Sequence, residues 1–462
     1  MGLRDIILMF AIYGSIPFIF VKPFVGVLVW YWLGLMNPHR ISWTLTNQPF
    51  ALLTVGVLLV SILVSRKERK YLPWTPIVVT LGAFWLWMLV TTIFAFYPNL
   101  AWAQWDKIWK IMLTTYIAIM MLTSKARILA LVTVAGISLG FWGVKGGVFT
   151  LLSGGVYKVW GPPGSFIGDN NAMALATIMT IPIIFFLRLM ATYRILKVLL
   201  LMAAILCVFS ALGSQSRGAL LGLLALAVFF ALKSRRKVQY LFLIAILAPV
   251  GFLFMPDAWH ERMGTIATYE QDGSAMGRIH AWHMAFNLAM HEPLGGGFET
   301  FNSGVYAIYL PQFMSHALDA HSIWFEILGE QGFIGLALFL TLGALTFFKC
   351  RQVIRLTAGV PERRWMGDLA AMIQASLFAY AVTGSFLGLA YFDYLYLLVA
   401  LTVGLDVVLR KELSGERGEL SPLPDGISVR ASPGSQALPE ATKFAPSPRQ
   451  VWRDVTQWYA RL

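Results

Sequence analysis

Residues 256–332 read PDAWHERMGTIATYEQDGSAMGRIHAWHMAFNLAMHEPLGGGFETFNSGVYAIYLPQFMSHALDAHSIWFEILGEQG. This is the only long segment that separates two hydrophobic runs without being one itself. It carries six of the chain's seven histidines: His260, His280, His283, His291, His316 and His321. Reading outward from it, both flanks are membrane sequence, so the stretch is expected to be held over one face of a bilayer by the spans around it.

Composition supports this division. The 462 residues are 58% hydrophobic and only 13% charged, against about 25% charged in a soluble domain. The mean hydropathy is +0.68. At about 20 apolar residues per spanning helix, the length allows roughly a dozen spans. The 17 Trp and 16 Tyr suit interfacial belts, where an amphipathic ring sits well. A net charge of +13 in such a chain points to topology and anionic headgroups rather than to nucleic acid. Cys207 and Cys350 lie in or at the end of apolar runs and suggest no disulfide framework. Met1–Asp5 leads straight into apolar sequence with no cleavable signal evident.

Residues 6–36 are almost wholly apolar and broken by Lys22-Pro23. Because proline removes a helix donor and kinks a helix, this reads as one bent or membrane-embedded segment, with two short spans as the alternative. Further apolar runs fall near 49–65, 76–96, 107–123, 127–144, 172–190, 195–212, 217–232, 238–255, 332–348, 368–388 and 391–409. One set of connecting loops is basic: Arg66 to Lys70, Lys125 and Arg127, Arg188 to Lys197, Lys233 to Lys237, Lys349 to Arg364, and Arg410-Lys411. The alternating set, 37–48, 97–106, 145–171, 212–217 and 256–331, is poor in Lys and Arg. The positive-inside rule makes the basic set cytoplasmic.

The expected fold is all-α: a polytopic membrane protein with about 12 transmembrane helices and a long periplasmic segment carrying short helices. It divides into 1–255 as a transmembrane region, 256–331 as a periplasmic catalytic segment, 332–411 as C-terminal transmembrane helices, and 412–462 as a cytoplasmic tail. The tail's Pro/Ser/Gly content and scattered charge predict disorder, with a short surface helix over Trp452–Leu462.

Three places on the Lys/Arg-poor side carry chemistry. The first is Gly213-Ser214-Gln215-Ser216-Arg217-Gly218, a tight turn between two apolar runs. Arg217 suits either of two roles. It can snorkel to headgroups, or its planar fork of donors can grip phosphate oxygens in a bidentate way, with the dipole of the following helix adding to the attraction. The second is the helix expected from Ser274, as cap, to about Met290. Arg278, Trp282, Ala285 and Ala289 share one face of it at helical spacing, which makes Arg278 a second phosphate or sugar ligand or, alternatively, part of a surface helix anchored by Trp282. Glu292-Pro293 ends this helix, and Gly295-Gly296-Gly297-Phe298 follows.

The third place is Ala320-His321-Ser322. His321 is expected in the first turn of a helix capped by Asp319, with Phe325 and Leu328 on its face. A helix amino terminus disfavours imidazolium, and neutral imidazole is the form a general base needs. The competing role is that of a satisfied core histidine. His316 is the alternative base, one and a half turns earlier. No metal site is expected: the sequence has no H-E-x-x-H, no second ligand cluster and no D-x-D.

Taken together these pieces resemble the bacterial O-antigen ligase and O-antigen polymerase superfamily. The matching elements are Ser-Arg-Gly within 214–218 before a span, the Arg-plus-Trp helix followed by Pro and Gly-x-Gly at 278–298, and the Ala-His-Ser to Gly pattern at 320–332. A glycine-then-asparagine loop, 161–171, precedes another span. Ser322 departs from the asparagine common there. The first hundred residues also resemble exosortase-associated O-glycosylation ligases. The resemblance implies a C-type glycosyltransferase that inverts by single displacement without metal or other cofactor. It implies undecaprenyl-diphosphate-linked glycan as donor and lipid A–core oligosaccharide as acceptor, at the periplasmic face of the inner membrane. It also implies His321 as base and Arg217 and Arg278 on the diphosphate, with His316 and Asn170 as secondary binding candidates. An O-antigen polymerase and a protein O-glycosylation ligase are the alternatives within this resemblance. A transporter, the rival from another class, would place ionisable groups near the membrane midplane, where these runs carry almost none.

Overall fold

The computed structural model describes residues 2–42, 44–46, 48–65, 71–234 and 273–419, together with residues 238, 239, 245, 257 and 260. The apolar run at 238–255, most of 256–272, the basic loops at 66–70 and 235–237, and the tail from 420 lie outside the described residues, apart from those five. All regular structure among the described residues is helical.

Fourteen α-helices are described, in chain order α1 (Leu3–Val21), α2 (Phe24–Met36), α3 (Phe50–Val64), α4 (Pro76–Ile93), α5 (Pro98–Met121), α6 (Lys125–Leu152), α7 (Asn170–Met190), α8 (Arg194–Gly213), α9 (Arg217–Lys233), α10 (Gly273–His291), α11 (Ser303–Tyr309), α12 (Ile323–Thr357), α13 (Arg364–Gly384) and α14 (Asp393–Glu419). Seven are long and apolar enough to cross a membrane, and α2 and α3 are shorter apolar helices. α14 runs on to Glu419, past residue 412 where the tail was expected to begin. Glu412 lies on its last turns and pairs with Arg363 at 3.3 Å.

The helices differ in how much of their surface the protein covers. In α7 and in the span that includes α13, 72% and 78% of the apolar window is buried, against 22% in α1 and α8. α7, α13 and the first half of α14, whose residues 393–409 are almost all buried, are therefore the axis of the bundle, and α1 and α8 its rim, where side chains such as Phe10 stand in the open. Contacts of α13 with α7, α9 and α12, and of α6 with α7 and α8, close the bundle around that axis.

The segment 6–36 is two helices. Buried Asp5, near the start of α1, accepts hydrogen bonds from Ser42 Oγ at 2.7 Å and Thr44 Oγ1 at 2.8 Å, beyond the end of α2. The start of α1 therefore lies beside the end of α2, and the two form an antiparallel pair turned at Lys22-Pro23. The segment is thus a helical hairpin rather than one bent helix, and of its two helices α1 alone has spanning length.

Loops sort to two ends. At one end, Lys349 and Arg410 both reach Asp406, at 3.3 and 2.9 Å, and Lys125 lies over the Trp365 ring. At the other end gather residues 37–42, 44–46, 94–97, 153–169, 213–217, 292–322 and 385–392, tied by bonds such as Phe96 N–H to Gly296 O and Val159 N–H to Gly213 O. α12 breaks at this end: Gly332 takes φ 64° and ψ −171°. A Cβ there would collide with the Pro293 carbonyl oxygen, and one on Gly295 would stand 2.6 Å from Gly332 N, so both glycines are required for the 293–297 loop to lie across the break.

Candidate active site

His321 lies just before a helix, not in its first turn. The chain passes through the 3-10 turn Pro311–His316, runs on through Ala317–Ala320, and begins α12 at Ile323 with Ser322 at the cap position. His321 has φ 42°, a left-handed conformation that costs a non-glycine residue free energy and persists only when its surroundings hold it. Those surroundings are specific. Trp282 Nε1–H donates to Ala320 O at 2.8 Å, and the indole stacks on Phe325 with centroids 5.0 Å apart. Tyr306 O–H donates to Leu318 O at 2.9 Å. With these carbonyls taken, the helix starts later than Asp319 would have it, which is why the expected cap is not used. The Ser322 hydroxyl is buried and has no partner among the described residues. His316 closes the preceding 3-10 turn.

Burial pushes the His321 pKa below the ordinary imidazole value, and the Arg278 guanidinium pushes it further; Asp319 and Asp169 oppose them. The ring is therefore neutral at physiological pH, with one nitrogen free to accept a proton. These interactions also locate the groups. Arg278 projects from α10, whose Ala281, Met284, Ala285, Leu288 and Ala289 are buried, and whose Gly277 lies against Leu318 with no space for a side chain. α10 includes Gly273, one residue ahead of the expected cap Ser274. Trp282 is half-buried within the protein.

Arg217 is the first residue of α9, and Ser216 caps that helix through Ala219 N–H at 3.3 Å. The turn before it is fixed from three sides. Gln215, at φ 54°, donates through Nε2 to the carbonyls of Gly155 and Val156 at 3.1 and 3.0 Å. Ser214 Oγ donates to Ala211 O at 2.6 Å. Asn170, buried, donates through Nδ2 to Ser214 O at 2.8 Å. The Asn170 amide thus holds the turn that presents Arg217. Its neighbour Asp169 caps α7 by accepting from Asn171 and Ala172 N–H at 2.8 and 3.1 Å. A Cβ on Gly218 would come within 3.2 Å of Phe386 Cβ, and one on Gly384 within 2.8 Å of Ile323. Arg217 and His321 therefore flank the same end of α13. Arg217, Asp169, Arg278 and His321, from four distant segments, meet at one end of the bundle.

Beneath them lies a polar floor that residue types alone did not reveal. Glu330 accepts from Glu299 N–H at 2.9 Å and from Tyr391 O–H at 2.7 Å. Gln331 accepts from Thr91 Oγ1 at 2.5 Å and donates to Tyr391 at 3.2 Å, and its carbonyl receives Trp87 Nε1–H at 2.8 Å. Glu326 accepts from Ala390 N–H at 3.1 Å. Gly296 and Gly297 N–H bond to the Gly329 and Glu330 carbonyls at 2.8 and 3.0 Å, so these amides of the triple-glycine loop are spent on the fold instead of facing a ligand. The signal for this floor was Glu326 and Glu330, four residues apart in an otherwise apolar helix, since ionisable residues there are rarely idle. Among the described residues, no three His, Cys, Asp or Glu side chains gather as metal ligands.

Comparison with protein-family models finds two matches. Residues 202–340 match a family described as O-Antigen ligase, and residues 3–192 match a family of unknown function, DUF5935. No curated protein matches the chain. Arg217, Arg278 and His321 fall in the first region, Asp169 and Asn170 in the second.

Proposed function

We propose that this chain, which belongs to the O-antigen ligase superfamily through residues 202–340, transfers a glycan from undecaprenyl diphosphate to a sugar hydroxyl of lipid A–core oligosaccharide. The observation that carries the reading is that His321 lies within electrostatic reach of the Arg278 cation, at the end of α13 that Arg217 also flanks. One group removes a proton while the others hold negative charge.

In the step proposed, the acceptor hydroxyl oxygen attacks the anomeric carbon from the face opposite the diphosphate. The bond from that carbon to the phosphate oxygen breaks, and its electron pair leaves with the diphosphate. The hydroxyl proton passes to His321. A single displacement inverts the centre, and one base suffices because diphosphate, a weak base, leaves without protonation. It does need its charge held, which Arg217 and Arg278 supply in a site partly screened from water. No energy source other than the donor's own diphosphate is required.

Two further observations favour a lipid-linked donor. A groove of about 350 Å³ lined almost wholly by apolar side chains runs along α12, α13 and α14, with Trp324 at the site end and Phe339, Phe347, Leu377 and Val399 along it. The groove suits the first few isoprene units of a polyprenyl tail, the rest lying in lipid. The site end is also the end whose loops are poor in Lys and Arg, which the positive-inside rule assigns to the periplasm of a bacterial inner membrane. There a nucleotide sugar is absent and a lipid-linked one is delivered.

The test is transfer by the purified full chain in lipid nanodiscs, supplied with lipid-linked glycan and lipid A–core in the presence of a chelator. Glycan-bearing lipid A–core is the expected product. Glycan chains lengthened on the lipid carrier instead would identify a polymerase, and no product from either acceptor would end the reading.

A further inference from the structure

A second cavity, of about 470 Å³, shares no lining residue with this groove and has a different chemistry. It is walled by α2, α3, α5, the start of α14 and the loops after α2 and α6, so it belongs almost entirely to the region that matches DUF5935. Its size is typical of a small-molecule site. Arg40, Lys107 and Lys110 face it, together with the carboxylates of Asp393 and Glu299 and the ring of Trp30.

Three of these groups are buried polar atoms without a partner among the described residues: Trp30 Nε1, Arg40 Nε and Asp393 Oδ1. Trp30 and Asp393 are each only 5% exposed. Burying a donor and a carboxylate oxygen with nothing to bond is costly, and both line one cavity. Arg40 is held in place by the 161–169 loop: Gly164, at φ +71°, leaves Arg40 Nη1 so close that a Cβ would stand 3.2 Å from it. Neighbouring His39 adds no charge, its pKa pushed down to about 4 by burial and by Arg40. Lys110 is partly neutralised by Asp106 at 2.7 Å. The lining therefore offers cationic donors, a carboxylate acceptor and an aromatic face, with little net charge to spare. That combination matches a polyhydroxylated ring with a single anionic group: hydroxyls to Asp393, the ring against Trp30, the anion to Arg40 and Lys107.

We propose that this cavity binds a sugar carrying one acidic group, a carboxylate or a phosphate, and that it holds part of the acceptor during transfer. The second half rests on the transferase reading. The groove and the arginines proposed for the donor's tail and diphosphate use none of these lining residues. The 161–169 loop reaches the cavity with Gly164 and the reacting centre with Asp169, five residues on. Glu299 joins the two as well, since its N–H is held by Glu330 of the floor.

Saturation-transfer NMR on the full chain in phosphatidylcholine nanodiscs tests the site. Methyl glucuronide and glucose 6-phosphate are the probes, and methyl glucoside is the neutral control. Both acidic sugars should receive saturation and the neutral one much less. Arg40→Met should weaken binding about tenfold, the worth of one charge-assisted hydrogen bond. Ala51→Trp, which fills the cavity from an exposed position on α3, should abolish it. His321→Ala should leave binding unchanged, so that binding and transfer are read separately. The site is overturned if the acidic sugars give no signal with wild-type protein, if the neutral sugar matches them, if Ala51→Trp binds normally, or if phosphatidylglycerol nanodiscs suppress the signal, which would make the occupant a lipid headgroup. The acceptor assignment is tested by kinetics: Ala51→Trp should raise the KM for acceptor and leave that for donor unchanged. An unchanged acceptor KM removes the assignment while the binding site stands.

Discussion

The two ends of the helical bundle are built by different rules. At the basic end, charges are matched to partners on neighbouring helices: Asp406 with Lys349 and Arg410, Glu412 with Arg363, Asp368 with Arg364. Among the described residues of that end, Gly359 alone has positive φ. At the site end, Asn37, Gln215, Glu299 and His321 all adopt left-handed backbone without being glycine, and every other positive-φ glycine lies there too. Strain of that kind survives only where surrounding contacts over-determine it. One end is arranged to anchor, and the other spends stability on placing side chains.

If that contrast is functional, damage at the site end should cost catalysis far more than stability. His321→Ala should show the largest effect, lowering transfer by about 10²–10⁴-fold while expression, helicity and elution from a sizing column stay normal. Near-normal product would reduce His321 to a core histidine. The acid limb of the pH–rate profile follows the same residue. A base works deprotonated, so activity falls as pH drops through its pKa. Burial and Arg278 hold that pKa below the ordinary 6.5, so the inflection should lie below it. Arg278→Met should move the inflection upward by removing the positive neighbour; an inflection that stays put would detach Arg278 from the imidazole.

Arg217→Lys comes next. An ammonium keeps the charge but loses the planar fork, and an expected loss of about 10²–10³-fold in kcat matches that of one oxyanion donor. Wild-type rates would favour the snorkelling arginine. Trp282→Phe tests support of His321 instead of contact with substrate. It keeps the stacking on Phe325 but removes the bond to Ala320 O. The loss in kcat should be roughly tenfold from a loosened base, with about 1 kcal/mol of stability. A raised donor KM with intact kcat would mean that Trp282 touches the donor.

The bundle itself was legible because apolar runs of spanning length and alternating basic loops depend on local composition alone. The N-terminal pair was not, since Lys22-Pro23 marks equally a kinked helix or a turn. What decides between them is Asp5 meeting Ser42 and Thr44, a contact no local pattern contains. The same limit applies around His321. Its residue type, neighbours and side of the membrane were readable, but Asp319 looked like the cap because Trp282 and Tyr306 claim the nearby carbonyls only in the folded chain. Asp169 escaped notice as a partner of His321 because the two lie far apart in sequence and meet across helices. Asn170 is a secondary binding candidate from sequence; that its amide also holds the Arg217 turn shows only in the fold.

The smallest effect is expected at the other end, and it is the sharpest check on the contrast. Arg410→Met removes a partner of Asp406, but the Arg410 side chain is 65% exposed, and exposed ion pairs contribute about 0–1 kcal/mol. Asp406 keeps Lys349 at 3.3 Å, so its buried carboxylate is not left alone. Transfer should therefore stay within about twofold of wild type, and the thermal midpoint should move by only a few degrees. Because positive charge on this side also sets orientation, protease accessibility of the loops should be compared in the same variant. Lost transfer with unchanged orientation would mean that the basic end is coupled to the reacting centre through the α12–α14 packing, and the separation of anchoring from chemistry would fail.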